Sequence, residues 1–256
     1  MNAFAIPFGR DRQDAKTAPP PSTLIAHCGA AKLSRNELAL VPTPPGTDTH
    51  RPVAHHELVN LLDETLSFRH ISIVQCEFAV SPDGMKLFGV LELEQGFEGC
   101  RFAIGIRNSH DKSMRLAMTV GYRVFVCDNL AFHGDFTPVL AKHSKKFNIT
   151  SALSVGVDQM QRCFGPMVEA VAGWRQCQLS DDAAKLVIYR AFLQGELDVP
   201  RHLGGRVHDL YFNPSQEAFA PRTLWSLSNA FTAAFKELDP IPQFKATARL
   251  GAFLNN

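Results

Sequence analysis

The stretch HISIVQCEFAV-SPDG-MKLFGVLELE, residues 70–94, decides the fold. Two runs rich in β-branched and aromatic residues flank Ser81-Pro-Asp-Gly84, a turn with proline second and glycine fourth, which is the signature of a β-hairpin. A second pair of alternating runs follows, CRFAIGIR (100–107) and MRLAMTVGYRVFVC (114–127), joined across RNSHDKS (107–113). Together they predict a four-stranded antiparallel meander over residues 70–127.

Helical periodicity surrounds this core. Upstream, HHELVNLLDETLSF (55–68) puts Leu58, Leu61, Leu62 and Leu66 on one stripe. Downstream, the apolar period changes from two to 3.6: Leu153, Val157, Met160, Phe164, Met167, Val168 and Val171 predict a long helix across the sheet, with a kink at Gly165-Pro166. Ser180-Asp-Asp182 reads as the N-cap of a second helix to about Gly195. Residues 198–222 read as irregular. A third helix carries Leu224, Leu227, Phe231, Phe235 and Leu238 and stops at Asp239-Pro240. The order of helix, strands and then helices gives an α+β class: a four-stranded meander packed against a long helix, with further C-terminal helices.

Eight of the 16 prolines fall in the first 52 residues. Residues 1–50 are therefore expected to form a partly disordered arm with a short helical piece near Ser34–Leu40, and residues 51–256 a single α+β domain, with its sheet core at 70–127 and its helical part at 150–240.

The chain has 256 residues, 45% of them apolar, and a formal charge of +1 with 20% charged residues. That balance excludes a global field drawing it to DNA or an anionic membrane, so any nucleic-acid surface is local. No secretory leader and no apolar run of membrane-spanning length is recognisable. The six cysteines are scattered without a CxxC pair, which fits reduced thiols in a cytoplasm. Phosphate-loop, dinucleotide, α/β-hydrolase and HExxH zinc motifs are missing, and neither a metal nor a cofactor is expected.

Strand alternation sorts the side chains of the second hairpin into two faces. One holds Phe102, Ile104, Ile106, Leu116, Met118, Val120, Tyr122, Val124 and Val126. The other sets Arg101, Arg107, Arg115 and Arg123 among Ala103, Gly105, Ala117, Thr119 and Gly121. This second face is either a basic floor open to a phosphate backbone or a set of cross-strand ion pairs with Glu77, Glu92 and Glu94. On the first reading, reversing the charges of Arg107 and Arg123 abolishes binding without unfolding the protein.

Further cations stand at Lys142, Lys145 and Lys146, next to His143. Arg201 and Arg206 accompany Tyr211, a ring suited to stacking on a base. In RNSHDKS, the side chains of Asn108, Ser109, Asp111 and Ser113 are of the type that structures turns, leaving His110 and Lys112 to face a partner. A straight strand from Arg115 to Cys127 keeps Cys127 far from His110, which excludes a Cys/His dyad within one straight strand, though not across subunits or around a sharp bulge. If the chain is catalytic instead, the candidate acid/base groups are His110, Asp111 and His143.

RNSHDKS, with RVFVCDN (123–129) and KHSKKF (142–147), resembles the domain-of-unknown-function family numbered nine hundred and thirty-two. DGMKLFGVLEL and LWSLSNAFTAAFKEL extend the likeness over roughly residues 50–250. Carried across, the motif positions are Arg107 to Asp111, Ser113, Arg123, Cys127, Asn129 and His143. The resemblance implies a phage- or plasmid-borne protein and brings no established activity. The order of hairpin, further strands and long helix is also similar to the core of single-strand-annealing recombination proteins, which implies binding of single-stranded DNA by a homo-oligomer. The expectation is a cytoplasmic nucleic-acid-binding protein that promotes annealing or recombination; the alternatives are a phosphodiester hydrolase or a non-catalytic assembly module.

Overall fold

The computed structural model describes residues 31–127, 129–132 and 137–256. The N-terminal arm as far as residue 30, with Cys28, lies outside the described residues.

The hairpin forms as its sequence dictates: β2 (Ile73–Val80) pairs antiparallel with β3 (Lys86–Phe97). The turn closes through the Gly84 amide donating to the Ser81 carbonyl (2.8 Å). Gly84 takes φ +72°, a conformation open to glycine at little cost. β3 pairs with β4 (Cys100–Ser109), and β4 with β5 (Leu116–Val124).

The sheet is larger than the four strands expected. β1 (Ala31–Leu33) extends it at one edge; at the other, β5 pairs with β6 (Asn129–Phe132) through Gly121–Val124 and with β7 (Val139–Ala141) through Leu116–Met118. Three added strands of three or four residues are too short to show a period in sequence. The arm thus joins the sheet from Ala31 and continues into α1 (Arg35–Leu38), where Ser34 and Glu37 form a capping box.

α2 (His55–Phe68) matches its periodic stretch. α3 (Ile149–Gln176) runs 28 residues through Pro166 and buries Leu153, Val157, Met160, Met167 and Val171. It lies close on the sheet. A Cβ added at Gly156 would come 2.4 Å from Val139 Cγ2, and Phe164 stacks on Phe102 with 3.9 Å between ring centroids. α4 (Asp181–Phe192) begins at the N-cap Ser180.

The C-terminal part corrects two expectations. Within the segment read as irregular, α5 (Leu203–Phe212) forms and buries Leu203, Val207 and Tyr211; Gly204 and Gly205 mask its periodicity. Asp239-Pro240 follows α6 (Leu224–Phe235) but opens a further helix, α7 (Pro240–Leu254). Proline fits the first helical turn because the N–H it lacks has no intrahelical partner there.

α7 decides the fate of the arginine-bearing face. Val90, Ala103, Leu130 and Phe132 form a second apolar cluster on that side of the sheet, with Phe244 of α7 against it. The small residues make room for these rings: a Cβ on Gly105 would come 2.6 Å from Phe132 Cε1. β5 is buried along its whole length.

Candidate functional site

Arg123 is 4% exposed, and its guanidinium meets Glu92 at 3.0 Å and Glu77 at 3.6 Å. Arg101 takes the other Glu92 oxygen at 3.0 Å and lies over the Phe125 ring. The basic floor is therefore corrected to the ion-pair alternative at these two positions, although Glu94 is exposed and enters none of these pairs. Arg107 is half-buried over the Phe244 ring, and burial holds its guanidinium pKa below the ordinary value. Tyr211, expected to stack on a base from a loop, is buried on α5 beneath Arg222. Arg206 pairs with Glu237, and Arg201 is exposed in the turn before α5.

RNSHDKS is divided between strand and loop. Arg107, Asn108 and Ser109 end β4, so the connection proper is residues 110–115. Asn108 is fully buried, and its amide nitrogen donates to the Val53 carbonyl (2.8 Å) and to His55 Nδ1 (2.9 Å). With Nδ1 accepting, His55 carries its proton on Nε2 and donates to the Gly84 carbonyl (3.0 Å). His110, expected to face a partner, is 3% exposed; its Nε2 donates to Val53 (3.0 Å), and its ring stacks on His55 at 3.9 Å. This polar knot fastens β4 to the segment leading into α2.

Two more histidines complete it. His50 Nδ1 lies 2.9 Å from the His143 carbonyl and Nε2 lies 3.1 Å from that of His110. The Arg51 amide also donates to His143 O (3.1 Å), and His50 bridges to Ser144. All four rings are buried. Burial first, then the charge of His110, lowers the His55 pKa to about 4. Burial first, then His50 and His110, takes His143 to about 4 as well. His110 is lowered, again by burial first. His55, His110 and His143 are thus neutral near pH 7. The four histidines hold loops together; among the described residues no group of three or more His, Cys, Asp or Glu has the geometry to hold a metal ion.

The tip of the connection behaves differently. Asp111 accepts from the Ser113 amide (3.0 Å) and pairs with Lys86 (3.7 Å). Burial works against its carboxylate, yet the Ser113 hydrogen bonds and Lys86 keep its pKa below the ordinary value. The turn puts Lys112 at φ +65°. Lys112, Ser113 and Arg115 form one wall of a cleft of about 480 Å³; Thr49 and His50 form another, and Lys142, His143 and Ser144 a third. Lys112, Arg115 and Lys142 pair with no carboxylate among the described residues. Lys145 pairs weakly with Asp48 at 4.0 Å, and Lys146 is exposed.

The structure therefore unites Lys112, Arg115, Lys142 and His143 and separates them from Arg101, Arg123, Arg201, Arg206 and Tyr211. Sequence reasoning missed Thr49, His50, His55 and Ser144, because the first three lie before or at the start of the first long helix, far from the motifs they meet. Of the groups named for the hydrolase alternative, His110 is buried and hydrogen-bonded to Val53, and Asp111 is bonded to Ser113 and paired with Lys86 at the loop tip. Ser109 takes the structuring role expected of it, through the Met114 amide and carbonyl (3.1 and 3.0 Å). Asn129, a position of the RVFVCDN motif, begins β6: its amide donates to the Asn229 carbonyl (3.1 Å) and side-chain oxygen (3.2 Å), tying the strand to α6.

No helix among the described residues is long and apolar enough to cross a membrane. No curated protein and no solved structure matches the chain. The profile of the family described as "Domain of unknown function (DUF932)" matches residues 47–249, a span that takes in the histidine knot, the cleft and strands β2 to β7, and the chain belongs to that family.

Proposed function

We propose that the protein binds nucleic acid through the cleft between the β4–β5 connection, the Thr49–His50 segment and the Lys142–Ser144 segment. One observation carries this reading: three cations from two segments of the chain, Lys112 and Arg115 in the β4–β5 connection and Lys142 after β7, line one cleft without carboxylate partners among the described residues. Phosphate neutralisation by such groups supplies most of the affinity of sequence-independent binding. Lys145 and Lys146 extend the rim.

Lys112 supports the reading from another side. A lysine with positive φ costs on the order of 1 kcal/mol that a glycine would avoid. In this chain the charge stands there despite the strain. The finer reading is single-stranded DNA as ligand, an oligomer as the working form, and annealing or recombination on a mobile element as the setting. It rests on what the sequence suggests: the phage- or plasmid-borne setting that the family resemblance implies, and the order of hairpin, further strands and long helix that is similar to annealing proteins.

The test is the triple variant Lys112→Ala, Arg115→Ala, Lys142→Ala. All three side chains lie on the cleft wall outside the apolar core, so the melting curve stays within about 5 °C of the wild type, since each surface change is worth about 0.5 kcal/mol or less. Affinity for a labelled oligonucleotide falls roughly tenfold or more, from the loss of three phosphate contacts. Unchanged affinity in a folded variant would dismiss the cleft as the binding surface.

A further inference from the structure

The cleft is small for a continuous strand. Single-strand grooves follow about 4–16 nucleotides of backbone. A volume of about 480 Å³ lies instead in the ~300–1,000 Å³ range of pockets that enclose one small ligand.

Its charge points the same way. An internal phosphodiester carries one negative charge, whereas a phosphomonoester, with its second pKa near ~6, approaches two at pH 7 and offers three strong acceptor oxygens. Lys112, Arg115 and Lys142 exceed what a single diester neutralises, and Thr49 and Ser144, whose hydroxyls can donate, line the same space.

The walls are also fixed before any ligand arrives. His50 contacts both the His110 and the His143 carbonyls, Arg51 donates to His143 O, and the Asp111–Ser113 turn holds Lys112 in place. A site assembled from three segments and tied in this way loses less conformational entropy on binding.

We propose that the cleft binds a phosphomonoester, the terminal phosphate of a nucleic-acid strand; this deepens, and rests on, the nucleic-acid reading above. The protein accordingly prefers strand ends that carry a phosphate. Arg115, with its planar fork of donors, holds two phosphate oxygens, and Lys112 and Lys142 neutralise the second charge.

The experiment compares labelled single strands of one sequence that carry a 5′-phosphate, a 3′-phosphate or hydroxyls at both ends, by fluorescence anisotropy at pH 7.5. A nucleoside monophosphate and inorganic phosphate serve as competitors. At least one phosphorylated strand is expected to bind roughly tenfold tighter than the hydroxyl strand, and the 5′ and 3′ arms identify the end. That advantage shrinks below about pH 6, where the monoester gains a proton, and disappears in the Arg115→Ala and Lys142→Ala variants, each made singly.

Equal affinity for all three strands, still dependent on Arg115 and Lys142, overturns the end preference and leaves nucleic-acid binding standing. Binding of the monophosphate, with no strand bound, overturns the strand as the source of the phosphate, and with it the nucleic-acid reading, while the monoester site stands. If neither binds, both ideas fall.

Discussion

Replacing Arg123 with methionine is expected to lower the melting temperature by about 10 °C. The guanidinium is buried between Glu77 and Glu92, which are 4% and 3% exposed, and Glu92 also pairs with Arg101. Removing the shared cation leaves carboxylates under-compensated in the sheet, a change that costs about 3–5 kcal/mol. At 2–4 °C per kcal/mol for a chain of this size, that sets the expected fall. Replacing both glutamates together with Arg123 by apolar residues of similar volume restores much of the loss, because the intact set adds little net stability. A single variant melting within about 2 °C of the wild type would refute the structural role given to Arg123. The same burial bears on the sequence-based expectation that reversing Arg107 and Arg123 abolishes binding without unfolding: with Arg123 buried between two carboxylates, that pair of changes is expected to destabilise the fold.

Acid is expected to loosen the histidine knot above the pH at which carboxylates titrate. His55 and His143 move from 6.5 to about 4 on folding. Their folded pKa values lie below the unfolded ones, so between these limits the unfolded chain binds more protons than the folded one. Stability is fully present above about pH 7, declines as pH falls through 6.5 towards 4, and levels off below, as far as these two groups are concerned. A tenfold change in a proton affinity on folding corresponds to about 1.4 kcal/mol. The two rings act within one cluster, so the combined loss by pH 4.5 is on the order of 3–5 kcal/mol, or a fall of about 10 °C in melting temperature. Differential scanning fluorimetry across pH 7.5–4.5 measures it. The double variant His55→Gln, His143→Gln should lose most of the slope above pH 5. A wild-type melting temperature flat from pH 7 to 5 would contradict the neutral, buried state of these rings.

Local signals make part of the fold legible in the sequence. The α2 boundaries follow from an uninterrupted 3.6-residue stripe, and the β2–β3 hairpin from a turn whose proline and glycine sit where the backbone needs them. What sequence does not contain is which surface another element covers. Alternation correctly places Arg101, Arg107 and Arg123 on one face, but openness depends on Phe132 and Phe244, more than 100 residues apart in the chain. α7 escapes a local reading because Asp-Pro both ends and begins helices, and α5 because two glycines and an upstream proline resemble a loop.

The site is legible to the extent that cations cluster near motifs. Lys112 and Arg115 lie in and beside RNSHDKS, and Lys142 and His143 in KHSKKF. Their convergence is not legible, because it is built by His50 and His55, residues without a local signal of their own. Four of the ten histidines gain their meaning only when β4 carries His110 to the start of α2.

Salt dependence of binding tests the central claim most directly. With three phosphate-neutralising cations and a slope of about −0.7 per contact for single strands, the logarithm of the association constant should fall with that of salt concentration with a slope near −2. This corresponds to roughly a 20-fold loss between 50 and 200 mM, measured by anisotropy on a single-stranded oligonucleotide. The Lys112→Ala, Arg115→Ala, Lys142→Ala variant should bind more weakly and with a slope near zero. A wild-type protein that binds no oligonucleotide at 50 mM salt, or a variant that keeps the full slope, would contradict nucleic-acid binding at this cleft.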